Sequence, residues 1–424
     1  MKRKKLVAIL AAVMTVAAVT SATTAGAGSG TQARGIEDGE ILVGGLGPGF
    51  PFKDFGGETG AKARFEEENA KGGVNGLKIK YVGWGDDNNS AETNLAETQR
   101  LIQQEGVFAL VPVLSPNFIQ AAKFAEQQKV PAFGWGIAPG FCTSKYAFGF
   151  SGCLVPPPPV KVASNTWGGL IDQHFKDEGE ADGAKGKTAA VISESNDSGQ
   201  SGNVVIVATA EAVGMKVVYD EASIPAPDPA PVTDFSPYVT DLMTSDGGEP
   251  PDVIFLVVSA DTLQAGLQNA LNDAGYDGLA TNAVLYSPLA TALVTGGSVL
   301  TQFATPEAVA DTPSVQKFLD AVEAVAGDEA VNQPTISGYI AADMFIQALK
   351  KAGKNPTPEK VQKAAAKLKN YKIDGFVGPT SYPKGFTQGT PCGQLVASDG
   401  TEWTVQVPFQ CFTNINVKTL KPIK

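Results

Sequence analysis

The chain has 424 residues, 43% of them apolar and 18% charged, which is enough to bury a large core and long enough for two domains. It carries 44 acidic against 33 basic residues, for a formal net charge of -11. An acidic chain of this kind argues against binding nucleic acid or anionic lipid, whose affinities come from Lys and Arg neutralising phosphates.

In chain order, Lys2, Arg3, Lys4 and Lys5 form a positive patch, residues 6–20 an uncharged and mostly apolar run, and Ala25-Gly26-Ala27 an A-x-A cleavage pattern. The run of 15 residues falls short of the roughly 20 that span a bilayer, so residues 1–27 are expected to be a cleaved export signal. Cleavage removes four positive charges and takes the net charge to -11 - 4 = -15. The first cysteine is Cys142, so no Cys follows the run to accept a lipid, and no later stretch resembles a membrane span. The expected location is periplasmic or extracellular.

From residue 38 short apolar runs alternate with helical stretches. "EILVGGL" (40–46) reads as a strand and residues 57–70 as a helix ended by Gly72-Gly73. Asn75-Gly76 turns the chain into a second strand, "LKIKYVGW" (77–84), followed by a helix in "SAETNLAETQRLIQQ". "VFALVPV" (107–113), "NFIQAAKFAEQQ" and "PAFGWG" continue as strand, helix and short strand. After "CLVPPPPVKV", an extended crossover because four prolines suit neither a helix nor a central strand, the alternation resumes. Strands are expected at "GKTAAVISE" (186–194), "MKVVYDEASI", "DVIFLVVS" (252–259) and "NAVLYS", with helices at "SGNVVIVATAEAVG" and "ADTLQAGLQNALNDAG". A second proline-rich stretch at 224–232 reads as a surface loop, and further helices are expected at 312–327, 337–353 and 357–369. Near-continuous Val/Ile/Leu strands alternating with helices indicate parallel sheets buried on both faces, and two such series make two α/β lobes.

The cysteines form two local pairs, Cys142/Cys153 and Cys392/Cys411. Of the three possible connectivities the local one is expected in an exported chain, each bridge stapling a surface loop. His174 is the sole histidine and there is no CxxC, so zinc chemistry and nucleophiles working with a histidine base have little to build on. "GDDNNSAE" (85–92) lacks calcium-loop spacing, and helix capping by Asp87 or Asn89 explains it better. "GGLGPG" lacks both G-x-G-x-x-G and a P-loop Lys, and "NDSGQSG" lacks G-x-S-x-G. No catalytic group, cofactor or metal is expected.

Ligands of open α/β sheets bind beyond the carboxyl ends of the strands. Ser115 follows such a strand and suits a helix N-cap, with Pro116 at the first helical position and the N–H groups of Asn117 and Phe118 left for an acceptor. Ser115 either caps its helix or contacts a ligand, and Trp135, between Gly134 and Gly136, is either core or an aromatic wall, the glycines reading as an opening of the backbone.

The sequence resembles the type 1 periplasmic binding proteins, in particular the branched-chain amino acid and amide-binding branch that feeds ATP-driven (ABC) importers. The resemblance covers most of residues 38–380 and rests on "ILVGGLGPG", "GAKARFEEENAKGGVNGLKIKYVGWGDDNNSAETNLAETQRLI", "FALVPVLSP" with "AAKFAEQQKVPAFGW", "TDFSPYVTDLM" with "PDVIFLVVSADTLQAGLQNALNDAGYDG", and "ISGYIAADMFIQALKKAG". It implies a two-lobed fold with three hinge crossovers and a ligand in the cleft. The lobes would be 38–152 plus 307–372, and 153–306 plus 373–424. Carried over by position, the cleft loops fall at Phe52, Ser115, Pro116 and Asn117, and Trp135 and Gly136. On the second lobe they fall at Asp197 and Ser198, Ser259 to Asp261, and Tyr286, with Thr335 returning from the first. Two departures bear on the ligand. Gly134-Trp135-Gly136-Ile137 stands where amino-acid binders offer Ser/Ala-x-Thr for a carboxylate, and Ser198 replaces the aromatic of a D-Y-G loop. Asp261 could meet a ligand ammonium or cap its helix. A small apolar or aromatic molecule with one acceptor group fits Phe52, Trp135 and Tyr286 at least as well as a branched-chain amino acid.

The expected function is therefore a monomeric, exported solute-binding protein that presents its ligand to a membrane permease, and not an enzyme. The alternatives are a ligand-sensing module on the same fold and a secreted α/β hydrolase. The hydrolase lacks both a nucleophile elbow and a late histidine.

Overall fold

A computed structural model describes residues 33–225, 232–258, 261–282, 286–288, 291, 294–329 and 331–423. The expected signal at 1–27, Ser259, the side chain of Asp261 and most of the second proline-rich stretch lie outside the described residues.

The first series of apolar runs becomes β1 (Ile36–Glu37), β2 (Glu40–Gly47), β3 (Lys78–Asp86), β4 (Ala109–Val113), β5 (Ala132–Gly134) and β6 (Ala147–Gly149). β3, β2, β4, β5 and β6 lie side by side and parallel, with β1 folded back on β2. The connecting helices are α1 (Glu58–Ala70), α2 (Ala91–Gln99), α3 (Gln120–Gln127) and α4 (Gly140–Thr143). Two helix starts differ from expectation. Ser90, not Asp87 or Asn89, caps α2 by accepting the Thr93 N–H. α3 begins at Gln120, not beside Ser115, because Ser115 is drawn into a buried cluster described below.

The proline crossover carries no regular element until β7 (Val162–Ala163). Then follow α5 (Thr166–Asp177), β8 (Thr188–Glu194), α6 (Asp197–Ala212), β9 (Lys216–Ile224), α7 (Ser236–Met243), β10 (Val253–Val257), α8 (Asp261–Asp273), β11 (Leu279–Asn282) and β12 (Gly297–Thr301). β11 sits just ahead of the strand expected in "NAVLYS", whose residues 283–285 lie outside the described residues.

Helices α9 (Pro313–Ala326), α10 (Gln333–Ala352) and α11 (Pro358–Ala365) return to the first sheet, where α10 packs on α1, β4 and β5. Phe345 of α10 meets Phe65, Phe108 and Phe133 with ring centroids 6.4, 6.4 and 5.4 Å away. Aromatic edge-to-face packing of this kind fixes the helix on the sheet. After the short hairpin β13 (Tyr371–Ile373) and β14 (Val377–Thr380), the chain crosses once more. β15 (Cys392–Ser398) and β16 (Trp403–Cys411) add antiparallel strands to the second sheet, and β17 (Ile415–Asn416) pairs with β7. The second sheet runs β16-β15-β12-β11-β10-β8-β9, parallel from β9 to β12. Each sheet carries helices and forms one lobe of a two-lobed α/β fold. Cys142 is joined to Cys153, and Cys392 to Cys411 directly across β15 and β16.

Candidate ligand-binding cleft

Loops at the carboxyl ends of strands from both sheets converge on one cavity, with about 720 Å³ of space between its walls, mouth included. The first sheet contributes Phe52 after β2, Pro116 after β4, and Trp135 and Ile137 after β5. The second contributes Glu194 at the end of β8, Asn196 in the loop that follows, Ser198 in the first turn of α6, Val257 and Val258 at the end of β10, and Gln302 after β12. Trp167 of α5 and Val205 and Ile206 of α6 complete a mostly apolar wall. Gly202 also faces it: a Cβ there would stand 2.9 Å from Val257 Cγ1, so the missing side chain is part of the cavity.

Trp135 is 1% exposed, and its ring lies 6.5 Å from that of Phe52. Its Nε1–H donates to Gln302 Oε1 at 2.9 Å, a hydrogen bond from one lobe to the other. Ser198 Oγ makes a second bridge, donating to the Pro116 carbonyl at 2.9 Å. The flanking glycines do not open the backbone as expected. A Cβ on Gly134 would lie 1.9 Å from Val113 O, and one on Gly136 1.8 Å from Gly152 O. They let the loop close onto neighbouring backbone and so hold the indole in place.

Ser115 faces inward. It is fully buried, its Oγ donates to Asp87 Oδ2 at 2.5 Å, and it accepts from Asn94 Nδ2 and from the Asn117 N–H. Burial raises the Asp87 pKa, against the lowering effect of the hydrogen bonds from Ser115, Asn94 and the Asn89 backbone. Asn117 also donates its side-chain amide to Asn89 Oδ1 at 2.9 Å, and the Gly136 N–H donates to Ser151 Oγ at 3.3 Å. Asp197 is the first residue of α6, which Asn196 caps by accepting the Gly199 N–H at 2.7 Å.

Tyr286 and Thr335 lie outside the cavity wall, at the junction between the lobes. The Tyr286 hydroxyl donates to Glu307, and its backbone exchanges hydrogen bonds with Gln333 at the start of α10. Burial, then the Glu307 carboxylate, pushes that phenol well above its ordinary pKa. Thr335 Oγ1 donates to the Phe55 carbonyl at 2.9 Å.

Sequence reasoning missed Glu194, Asn196, Trp167 and Gln302. Glu194 closes an expected strand, so its place at the carboxyl end was a usable signal, whereas Gln302 follows a strand that was not expected at all. Among the described residues no group of three or more His, Cys, Asp or Glu could hold a metal, and no helix is long and apolar enough to cross a membrane.

Comparison with known proteins agrees with this architecture. A Leu/Ile/Val-binding protein homolog of Brucella suis is 27% identical over 375 residues, covering 82% of this chain and 84% of that one. A fatty acid ABC transporter substrate-binding protein from Thermomonospora curvata superposes with a TM-score of 0.69 at 20% identity, covering 90% and 95%. A solute-binding protein from R. palustris, solved in complex with 4-hydroxybenzoate, gives 0.66 at 20% identity, covering 88% and 97%. At these identities the solved structures speak for the fold. The family model for periplasmic binding proteins matches residues 51–401, and the chain belongs to that family.

Proposed function

We propose that this protein is the extracytoplasmic solute-binding component of an ABC importer, closing on a small molecule with an apolar or aromatic body and delivering it unaltered to a membrane permease. The observation that carries this reading is the cavity itself, walled by both lobes and bridged by Trp135–Gln302 and Ser198–Pro116. Phe52, Pro116, Trp135 and Ser198 would touch the ligand directly. Gly136 would act by positioning the Trp135 loop, and Ser115, Asn117, Asp197, Tyr286 and Thr335 by shaping the loops and the junction. The lobes would move as 38–152 plus 307–372 against 153–306 plus 373–424, a division supported by α10 packing on β4 and β5 of the first sheet, with α9 on α1, and by β15–β16 extending the second. Two disulfides suit an oxidising compartment reached through the signal at 1–27.

A thermal-shift panel of amino acids, amides, amines and aromatic acids on the mature protein tests the reading. A bound class raises the melting temperature by linkage, about 4 kcal/mol of stabilisation at a thousand times Kd. Chemical turnover of a bound compound, or no shift with any class, refutes it.

A further inference from the structure

We propose that the cleft holds its ligand with the polar end on the second lobe. The Gln302 amide nitrogen and the Trp167 indole N–H receive an oxygen acceptor, such as a carbonyl, while the apolar body lies against Phe52 and Trp135 of the first lobe. This rests on the solute-binding reading above and names the residues that orient and select the ligand.

The orientation of one amide comes first. Gln302 is 4% exposed and lines the cavity. The Trp135 indole N–H can only donate, so the Gln302 atom that meets it at 2.9 Å is the oxygen. That fixes the amide, and its nitrogen, which donates to no described group, is left for a ligand.

Trp167 supplies the second donor. It lines the same cavity, is 9% exposed, and its Nε1–H also donates to no described group. The two donors enter the wall from adjacent backbone. A Cβ on Gly393 of β15 would lie 2.5 Å from Thr301 O and 2.6 Å from Thr166 Cγ2, so the end of β12 and the start of α5 close on one glycine. Gln302 and Trp167 are the residues that follow. A donor buried under a ligand without a partner is costly, so an oxygen acceptor is selected over a group of the same shape that lacks one.

The first-lobe side is committed elsewhere. Pro116 has no N–H, those of Trp135 and Ile137 donate to Val113 O and Trp135 O, and the indole is spent on Gln302. Behind the wall, Ser115 Oγ donates to Asp87 and the Asn117 amide to Asn89. The loop at 134–137, where amino-acid binders would hold a carboxylate, here gives an aromatic face instead.

The test is calorimetric titration of the mature protein with acetophenone and α-methylstyrene, which differ only in a carbonyl oxygen against a methylene, then with isobutyl methyl ketone and its methylene counterpart. Each ketone should bind about tenfold or more tightly than its isostere. Gln302→Met and Trp167→Phe should each cut that gap by about threefold or more. Trp135→Phe, which removes the bridge between the lobes but neither donor, should lower both affinities and keep the gap. The wild-type ratio needs no variant, and Trp167→Phe stands in for a Gln302→Met that misfolds. Ketones that bind no better than their isosteres overturn the inference while leaving solute binding standing. So does a gap unchanged in the folded donor variants, or one that closes as fully in Trp135→Phe. Failure of all these probes at millimolar concentration also overturns it, and the wider thermal-shift panel then decides separately whether the cleft binds solutes at all.

Discussion

Replacing Trp135 by Phe removes a hydrogen bond that joins the lobes. An aromatic ring remains near Phe52, but the Nε1–H that donates to Gln302 Oε1 at 2.9 Å is lost, together with one of the two fused rings of the indole. Gln302 is 4% exposed, so with the lobes together its oxygen is left with neither the indole nor water. A net hydrogen bond contributes about 0.5–1.5 kcal/mol, and an orphaned buried acceptor costs about 1–3 kcal/mol. Parting the lobes returns water to that oxygen, so the cost falls on the closed form alone. A shift of about 1.4 kcal/mol is a tenfold change in the closed-to-open ratio, and apparent affinity falls by the same factor when only the closed form holds ligand tightly. Calorimetric titration of wild type, Trp135→Phe, Gln302→Leu and the double variant measures this and separates the bond from the ring. If the bond is what matters, the second substitution adds little to the first. Affinity within twofold of wild type, or strictly additive losses, would refute the reasoning.

The other predictions concern closure, folding and the loop that holds the indole. Ser198→Ala removes the hydrogen bond to Pro116 O and should weaken binding severalfold through faster release, read by stopped-flow tryptophan fluorescence; an unchanged off-rate counts against a bridging role. Gly136→Ala drives a methyl against Gly152 O and should cost about 1–3 kcal/mol in denaturant unfolding and lower affinity as well, whereas a neutral result would show the loop to be slack. Opening Cys392–Cys411 by paired Ser substitutions releases a 19-residue separation between β15 and β16 and should cost about 3 kcal/mol, seen as a lower melting temperature. Burial would raise the Glu67 carboxyl, but hydrogen bonds from Lys71 and Lys317, with Arg64 and Tyr339, bring it from 4.5 down to about 2. A depressed folded pKa gives stability that is present above 4.5 and lost as pH falls through about 2. Glu67→Gln should flatten that part of the acid denaturation profile, and an unchanged profile would remove Glu67 from the account.

What the sequence disclosed, and what it hid, follows from how local each signal is. The parallel strands were legible because a strand covered on both faces must be apolar at every position, as "VFALVPV" and "DVIFLVVS" are. β12 escaped because "GSVLT" follows Gly296 and opens with Gly and Ser, which read as a turn until neighbouring strands pair with them. β15 and β16 escaped for a related reason: β15 depends on a partner, β12, nearly a hundred residues earlier, and β16 pairs in turn on β15. The cleft divides in the same way. Phe52, Pro116, Trp135 and Ser198 follow expected strands and line the cavity. Ser115 looked like a cap because its own segment permits one, but the buried Asp87 carboxylate, 28 residues away, competes for its hydroxyl and wins. Tyr286 was placed by family position, and its hydroxyl went instead to Glu307, which no local pattern announces.

Under the proposed function, closure and recognition would draw on the same residues. Trp135 and Ser198 stand in the wall and also carry bridges between the lobes. Two such bonds contribute on the order of 1–3 kcal/mol, similar to the cost of ordering the side chains that make them. Left to themselves they would barely favour the closed form. A ligand that buries about 150 Å² of apolar surface against Phe52, Trp135 and Trp167 adds about 4 kcal/mol, more than the bridges supply. Under the proposed function the bridges would therefore set the geometry in which the lobes meet, and the ligand would decide whether they stay there. Under the proposed function, a permease that senses closure would read occupancy through contacts too weak to form a stable closed state unaided.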